Sequence, residues 1–107
     1  MSFDITVRID GPTVEMTLSG DLDANSARKF QQELESAFSG MPAALVLRTC
    51  DLVYMASAGI RVLVFAKQKL PKLTVYVVAP QEGVLQTLRQ TGMWNAVVVV
   101  DQYPAVP

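Results

Sequence analysis

The sequence predicts an α/β domain with the element order β-β-α-β-α-β-α-β, a sheet of mixed direction with its helices packed against it. Three observations carry this. Phe3 to Ile9 and Thr13 to Ser19 alternate apolar and polar side chains with period two, three later segments repeat their apolar residues at helical spacing, and short, almost wholly apolar runs separate those segments.

Phe3 to Ile9 sets Phe, Ile, Val and Ile against Asp, Thr and Arg, the pattern of a half-buried strand. Asp10-Gly11-Pro12 supplies a turn, and Thr13 to Ser19 alternates again with Val14, Met16 and Leu18 on one face, so the two segments form an antiparallel hairpin. Gly20-Asp21-Leu22-Asp23 breaks the alternation and leads into a helix from Ala24 to Phe38, carried by Ala27, Phe30, Leu34, Ala37 and Phe38 and capped by Asp23. Gly40-Met41-Pro42 ends it. Ala43 to Leu47 is a short strand of the kind buried on both faces, and Cys50, just past it, reads as a small core residue without a redox role.

A helix of Ile60 to Leu70 follows, with Ser57 at its N-terminus and Pro71 at its close. Leu73 to Val78 is the next buried strand, a parallel neighbour of the one before it, because strand, helix and strand in this spacing make a crossover unit. A third helix begins at Ala79-Pro80-Gln81-Glu82, is carried by Val84, Leu85 and Leu88, and is closed by Gly92. Ala96 to Val100 is the last strand, and the tail to Pro107 reads as loose.

Composition narrows the function. A chain of 107 residues, half of them hydrophobic, makes one domain with a real core, spanning 1–107 with its core at about 3–100. Nine basic and ten acidic residues nearly cancel and form no basic cluster, which argues against direct binding to nucleic acid. With no His and a single Cys, a His-based catalytic pair, a Cys/His zinc site and an internal disulfide are excluded, and no motif calls for a cofactor. The opening Met-Ser-Phe-Asp lacks the pattern of a signal peptide and the apolar runs are far shorter than a membrane span, so a cytoplasmic protein without membrane insertion is expected.

The stretch Asp51 to Leu63 concentrates the functional signal. Ser57 lies between Ala56, Ala58 and Gly59, which have little side chain with which to cover its hydroxyl. At a helix start, where amides lack intrahelical partners and the macrodipole is positive, Ser57 serves either as an N-cap or as the seat of an added phosphate. At 100° per residue, Ile60, Leu63, Val64, Ala66 and Leu70 gather on one side of the helix, and Ser57, Arg61, Phe65 and Gln68 on the other. An aromatic on the polar side suggests either a contact surface or packing beneath a loop. Arg61, four residues beyond Ser57, is placed to reach a phosphate, to meet an acidic partner, or simply to be solvated.

Leu18-Ser19-Gly20-Asp21-Leu22-Asp23, then Asp51-Leu52-Val53-Tyr54-Met55 and Ser57-Ala58-Gly59-Ile60-Arg61-Val62-Leu63, together resemble the STAS domains of bacterial anti-sigma factor antagonists. The likeness runs from about Phe3 to Val100 and includes Thr91-Gly92-Met93-Trp94 at the end of the third helix. It implies a partner switch without catalysis: the unphosphorylated protein binds an anti-sigma factor that is also a serine kinase of the GHKL type, freeing a sigma factor. Phosphorylation of the Ser that matches Ser57 breaks the complex, and a PP2C-type phosphatase restores it. The resemblance places Asp23 near the kinase contact, and the surface expected to meet the partner comprises Asp21, Asp23, Ala58, Gly59, Arg61 and Phe65. Where the family usually carries Asp immediately before the phosphorylated Ser, this chain has Ala56, which removes a carboxylate available to cap the helix or position the hydroxyl. Ala58 leaves Ser57 as the only phosphoacceptor of the motif.

Other readings remain open on the residues. The domain is alternatively a STAS subunit of a membrane transport complex or a scaffold of a stress-signalling assembly, neither regulated through Ser57. An enzyme would have to rely on Asp21, Asp23, Ser57 and Arg61 without a positioned base.

Overall fold

The computed structural model describes residues 2–104. Among them run strands β1 (Phe3–Asp10), β2 (Thr13–Leu22), β3 (Ala44–Met55), β4 (Thr74–Val78) and β5 (Val98–Val100), with helices α1 (Ala24–Ala37), α2 (Ser57–Lys69) and α3 (Glu82–Gln90). The strands lie in the order β1-β2-β3-β4-β5. The tight Gly11 turn makes β1 and β2 antiparallel, whereas each later strand is reached through a helix and is parallel to the one before it.

Period-two alternation decides which residues meet the helices. Val14, Met16 and Leu18 of β2, Leu45 and Leu47 of β3 and Val75 and Val77 of β4 are buried in one cluster with Phe30 and Leu34 of α1, Leu63 and Ala66 of α2 and Leu88 of α3. The opposite face carries Glu15 and Arg48, which form an ion pair, and Tyr76. Tyr103 lies on that face. Arg48 Nη2 donates to the Tyr103 carbonyl at 3.1 Å, and the Tyr103 ring sits 4.9 Å from that of Tyr76. The expected loose tail is therefore held at Tyr103, and the part of that expectation covering residues 105–107 lies outside the described residues.

β3 differs most from the sequence expectation, continuing eight residues past Leu47 to Met55. Its pairing with β2 shifts register twice, Thr17↔Arg48 being followed by Ser19↔Asp51 and Gly20↔Leu52 by Asp21↔Tyr54, each shift inserting one extra residue into β3. The first bulge turns both Cys50 and Asp51 outward, so Cys50 is an exposed free thiol and not a core residue. Leu52 and Met55 still reach the core and are fully buried. The alternation that marks a strand is thereby lost from the sequence while the strand itself persists. β2 likewise continues through Gly20 to Leu22, with Gly20 at φ +86 as it passes the Ser2 carbonyl so closely that a Cβ would overlap it. At the other end of the chain, Met93–Ala96 form a 3₁₀ turn, which shortens β5 to Val98–Val100.

Candidate functional site

β2 and β3 finish side by side, with Leu22 opposite Met55, and each delivers the chain into a helix at the same end of the sheet. The two helix starts differ in chemistry.

α1 opens on Asp23, which adopts an extended backbone and caps the helix as expected. Its Oδ1 accepts from the Ser26 amide and the Ser26 hydroxyl, both at 2.9 Å, while the Asp23 amide donates to Ser26 Oγ at 2.8 Å, a closed capping box. The Ser26 hydroxyl also lies 2.9 Å from the Asp21 carbonyl, binding the end of β2 into the same network. The Ser26 amide, and then its hydroxyl, stabilise the Asp23 carboxylate and hold its pKa below the ordinary value. Asp23, half-buried and with its oxygen engaged, thus has a structural task.

α2 opens on Ala56, which takes the cap position and brings no side-chain hydrogen bond to the first turn. Ser57 is therefore the first helical residue and not the cap, which rules out the N-cap role open to it from sequence. Ala56 has no polar side-chain atom with which to cap. It is placed instead by its backbone, its amide donating to the Leu22 carbonyl at 2.8 Å and its carbonyl accepting from the Gly59 amide at 2.9 Å. No acidic side chain lies in the first turn. Ser57 is exposed, and its hydroxyl makes no hydrogen bond to another described residue. The start of α2 is an accessible hydroxyl over a helix terminus that no side chain has neutralised, an arrangement able to accept an added anion.

Of the other residues expected at a partner surface, Arg61 is exposed and pairs with no acid among the described residues. Asp21 is half-buried on β2, opposite Tyr54 in register. Ala58 is half-buried against the core, and Gly59 is buried. A Cβ on Gly59 would lie 2.9 Å from Leu22 Cδ2 and 3.1 Å from Met55 Cγ, so this glycine allows the first turn of α2 to press onto the ends of the two strands. Phe65 is half-buried, against the expectation of an aromatic on the polar side, and the exposed apolar residue of α2 is Val64 at 39%. The ideal helical wheel had assigned Val64 to the buried side because it does not register how the helix rolls on its neighbours.

Two residues of the Asp51 to Leu63 stretch were not assigned to the exposed surface from sequence. Val53 and Tyr54, 56% and 48% exposed, stand outward on the bulged end of β3 just before Ser57. An aromatic and a β-branched residue beyond the expected strand end were the available signal; only the bulges show that they point to solvent. α3 clamps this segment. Thr87 donates to the Met55 carbonyl at 2.8 Å, Gln81 donates to the Cys50 carbonyl at 2.7 Å, and Gly83 faces the Val53 carbonyl, which a Cβ would approach to 2.7 Å. The backbone on either side of the apolar pair is thereby tied to the start of α3.

Among the described residues no group of three His, Cys, Asp or Glu is placed to hold a metal, and no helix is long and apolar enough to cross a membrane.

Comparison with known proteins follows the architecture. No curated protein matches the chain by sequence. An anti-sigma factor antagonist from Mycobacterium paratuberculosis is similar in structure, with a TM-score of 0.81 at 19% identity over 95% of this chain and 88% of its own. The anti-sigma factor antagonist SpoIIAA in its unphosphorylated form gives 0.76 at 18% identity, covering 92% of this chain and 87% of its own. The phosphorylated form of SpoIIAA, a Bacillus cell fate determinant, gives 0.67 at 17% identity, covering 92% and 90%. At these identities the likeness establishes the fold. The STAS domain profile matches residues 4–103, nearly the whole length, and this chain belongs to the STAS domain family.

Proposed function

We propose that this protein is an anti-sigma factor antagonist that works as a phosphorylation-controlled binding partner and has no catalysis of its own. The observation that carries the reading is the exposed Ser57 at a helix start without a side-chain cap, flanked by the exposed apolar pair Val53 and Tyr54. The similar SpoIIAA, known in unphosphorylated and phosphorylated forms, supports it.

Unmodified, the surface offers apolar area at Val53, Tyr54 and Val64 with the cation of Arg61 at its side. Its partner is an anti-sigma factor that is also a GHKL-type serine kinase; docking frees a sigma factor, and the same partner transfers a phosphoryl group to Ser57 Oγ. The phosphate brings a charge of about −1.5 to −2 into the interface, where desolvation and repulsion from acidic groups oppose binding. A loss of about 3 kcal/mol weakens the complex about a hundredfold, enough to release the partner at constant concentration. A PP2C-type phosphatase then restores binding. The uncapped amides of α2 accommodate the phosphate, so the modification alters surface charge and leaves the fold in place.

The test is the intact mass of the protein from its native cells, with mapping of any phosphate, and a pulldown comparing wild type with Ser57→Ala and Ser57→Asp. Phosphate on Ser57, with a GHKL-type kinase held by Ser57→Ala and released by Ser57→Asp, is the expected result. An unmodified Ser57, with both variants holding the same membrane partners, overturns it in favour of a transporter subunit.

A further inference from the structure

The far end of α2 carries a second surface, at the opposite end of the sheet from Ser57. There the turn Met41–Ala43 before β3 and the turn Leu70–Leu73 after α2 form the walls of a trough of about 440 Å³. Hydrogen bonds fix it. The Thr74 amide donates to the Ala43 carbonyl at 3.0 Å, joining one wall to the other, and the Ala43 amide donates to Pro12 at 2.8 Å. The Lys67 ammonium donates to the Leu73 carbonyl at 2.8 Å, and Pro42 and Pro71 stiffen the two turns. The site is preformed.

Its chemistry is one-sided. The lining is apolar except for Lys69 and Lys72; no acidic residue contributes, and neither lysine has an ion-pair partner among the described residues. Met41 stands at its edge in the left-handed region, φ 48, and is 74% exposed. Ile9, 63% exposed, lies at the same end of the sheet, where β1 pairs with β2. These are the two most exposed large apolar side chains among the described residues.

We infer that this end of the domain is a second docking surface, which takes an acidic peptide segment of a partner protein with one apolar side chain seated in the trough. The unpaired Lys69 and Lys72 set the sign of the partner's charge. The open trough sets its class: a small amphiphile needs most of its surface enclosed, whereas a protein segment closes the open side with its own chain and covers Met41. Met, flexible and polarisable, suits such an adaptable edge. The thirteen residues of α2 span roughly 20 Å, so an occupant here does not touch Ser57 and its binding is independent of the phosphorylation state. The inference stands apart from the proposed switch and survives its failure.

The probe is a phage-displayed library of random twelve-residue peptides, selected on the full chain carrying Ser57→Asp and recovered by sequencing. Selected peptides are expected to share an aliphatic or aromatic residue flanked by Asp or Glu. Their synthetic forms should bind wild type and Ser57→Asp alike, and lose at least tenfold on Lys69→Glu/Lys72→Glu and on Met41→Ser, with thermal melts confirming that both variants are folded. A basic or unenriched selection, or peptides that bind the Lys69→Glu/Lys72→Glu variant as well as wild type, overturns the inference. So does laurate shifting the Met41 methyl signal in an NMR titration where the acidic peptides do not, or self-association abolished by Met41→Ser, since these assign the surface to a lipid anion or to a second copy.

Discussion

Two helices begin side by side at the ends of β2 and β3, and their first turns have been treated in opposite ways. At α1, Asp23 and Ser26 satisfy each other's backbone amides in a closed box. At α2, Ala56 caps with backbone alone and the Ser57 hydroxyl has no partner among the described residues. The contrast teaches that a polar residue at a helix start is not by itself a sign of either structure or function. From sequence Asp23 read as a cap and, by resemblance, as part of a contact surface, and its Oδ1 is engaged in the cap; Ser57 read as either a cap or a phosphate seat, and it sits one residue inside the helix and is exposed.

The largest expected effect tests the open terminus as a switch. Stoichiometric phosphorylation of Ser57 should weaken binding to the isolated kinase partner about a hundredfold, measured by calorimetry. Equal affinity of the two forms would remove the functional half of the contrast.

Next comes the packing that holds the open terminus against the strands. Gly59→Val places branched carbons where Leu22 and Met55 already crowd, and should cost about 1 to 3 kcal/mol in a urea titration. Because Gly59 is buried, the loss should appear in stability and not in a direct partner contact.

Asp23→Ala should lower the melting temperature by a few degrees, whereas Asn25→Ala, two residues on and exposed, should change it little. The pH dependence has a definite sign. Asp23 has a folded pKa depressed by the Ser26 amide and hydroxyl, so its contribution is present above the unfolded carboxylate value and is lost as pH falls through the folded value, in the range below about 4. Asp23→Asn should flatten that part of the acid limb of a stability profile.

The smallest effect sharpens the comparison most. Ser57→Asp puts a charge on the uncapped start of α2 and should stabilise the fold by about 0.3 to 1 kcal/mol at low ionic strength, less in high salt. Ala56→Asp, which gives α2 the cap it lacks, should add about 1 kcal/mol. The double variant should gain less than the sum, because both carboxylates address the same few amides. Full additivity would mean that the amides are not shared.

Local signals accounted for much of this molecule. The alternation of Val14, Met16 and Leu18, the helical spacing of Phe30 and Leu34 and the Asp23 cap are patterns readable within a few residues of chain, and they placed the hairpin, α1 and the element order. The motif around Ser57 drew attention to the start of α2 for the same reason: small residues beside a hydroxyl are visible without a fold.

Tertiary structure decided the rest. Whether Val53 and Tyr54 face water depends on two extra residues that β3 accommodates against β2, a register between segments some thirty residues apart on which no local pattern bears. The exposure of Val64 over Phe65 depends on how α2 rolls between its neighbours, and the trough beside Met41 exists only because two turns distant in sequence are joined by the Thr74–Ala43 hydrogen bond. Periodicity reports which residues prefer burial; the register and the close approaches, chosen by long-range packing, settle which of them receive it.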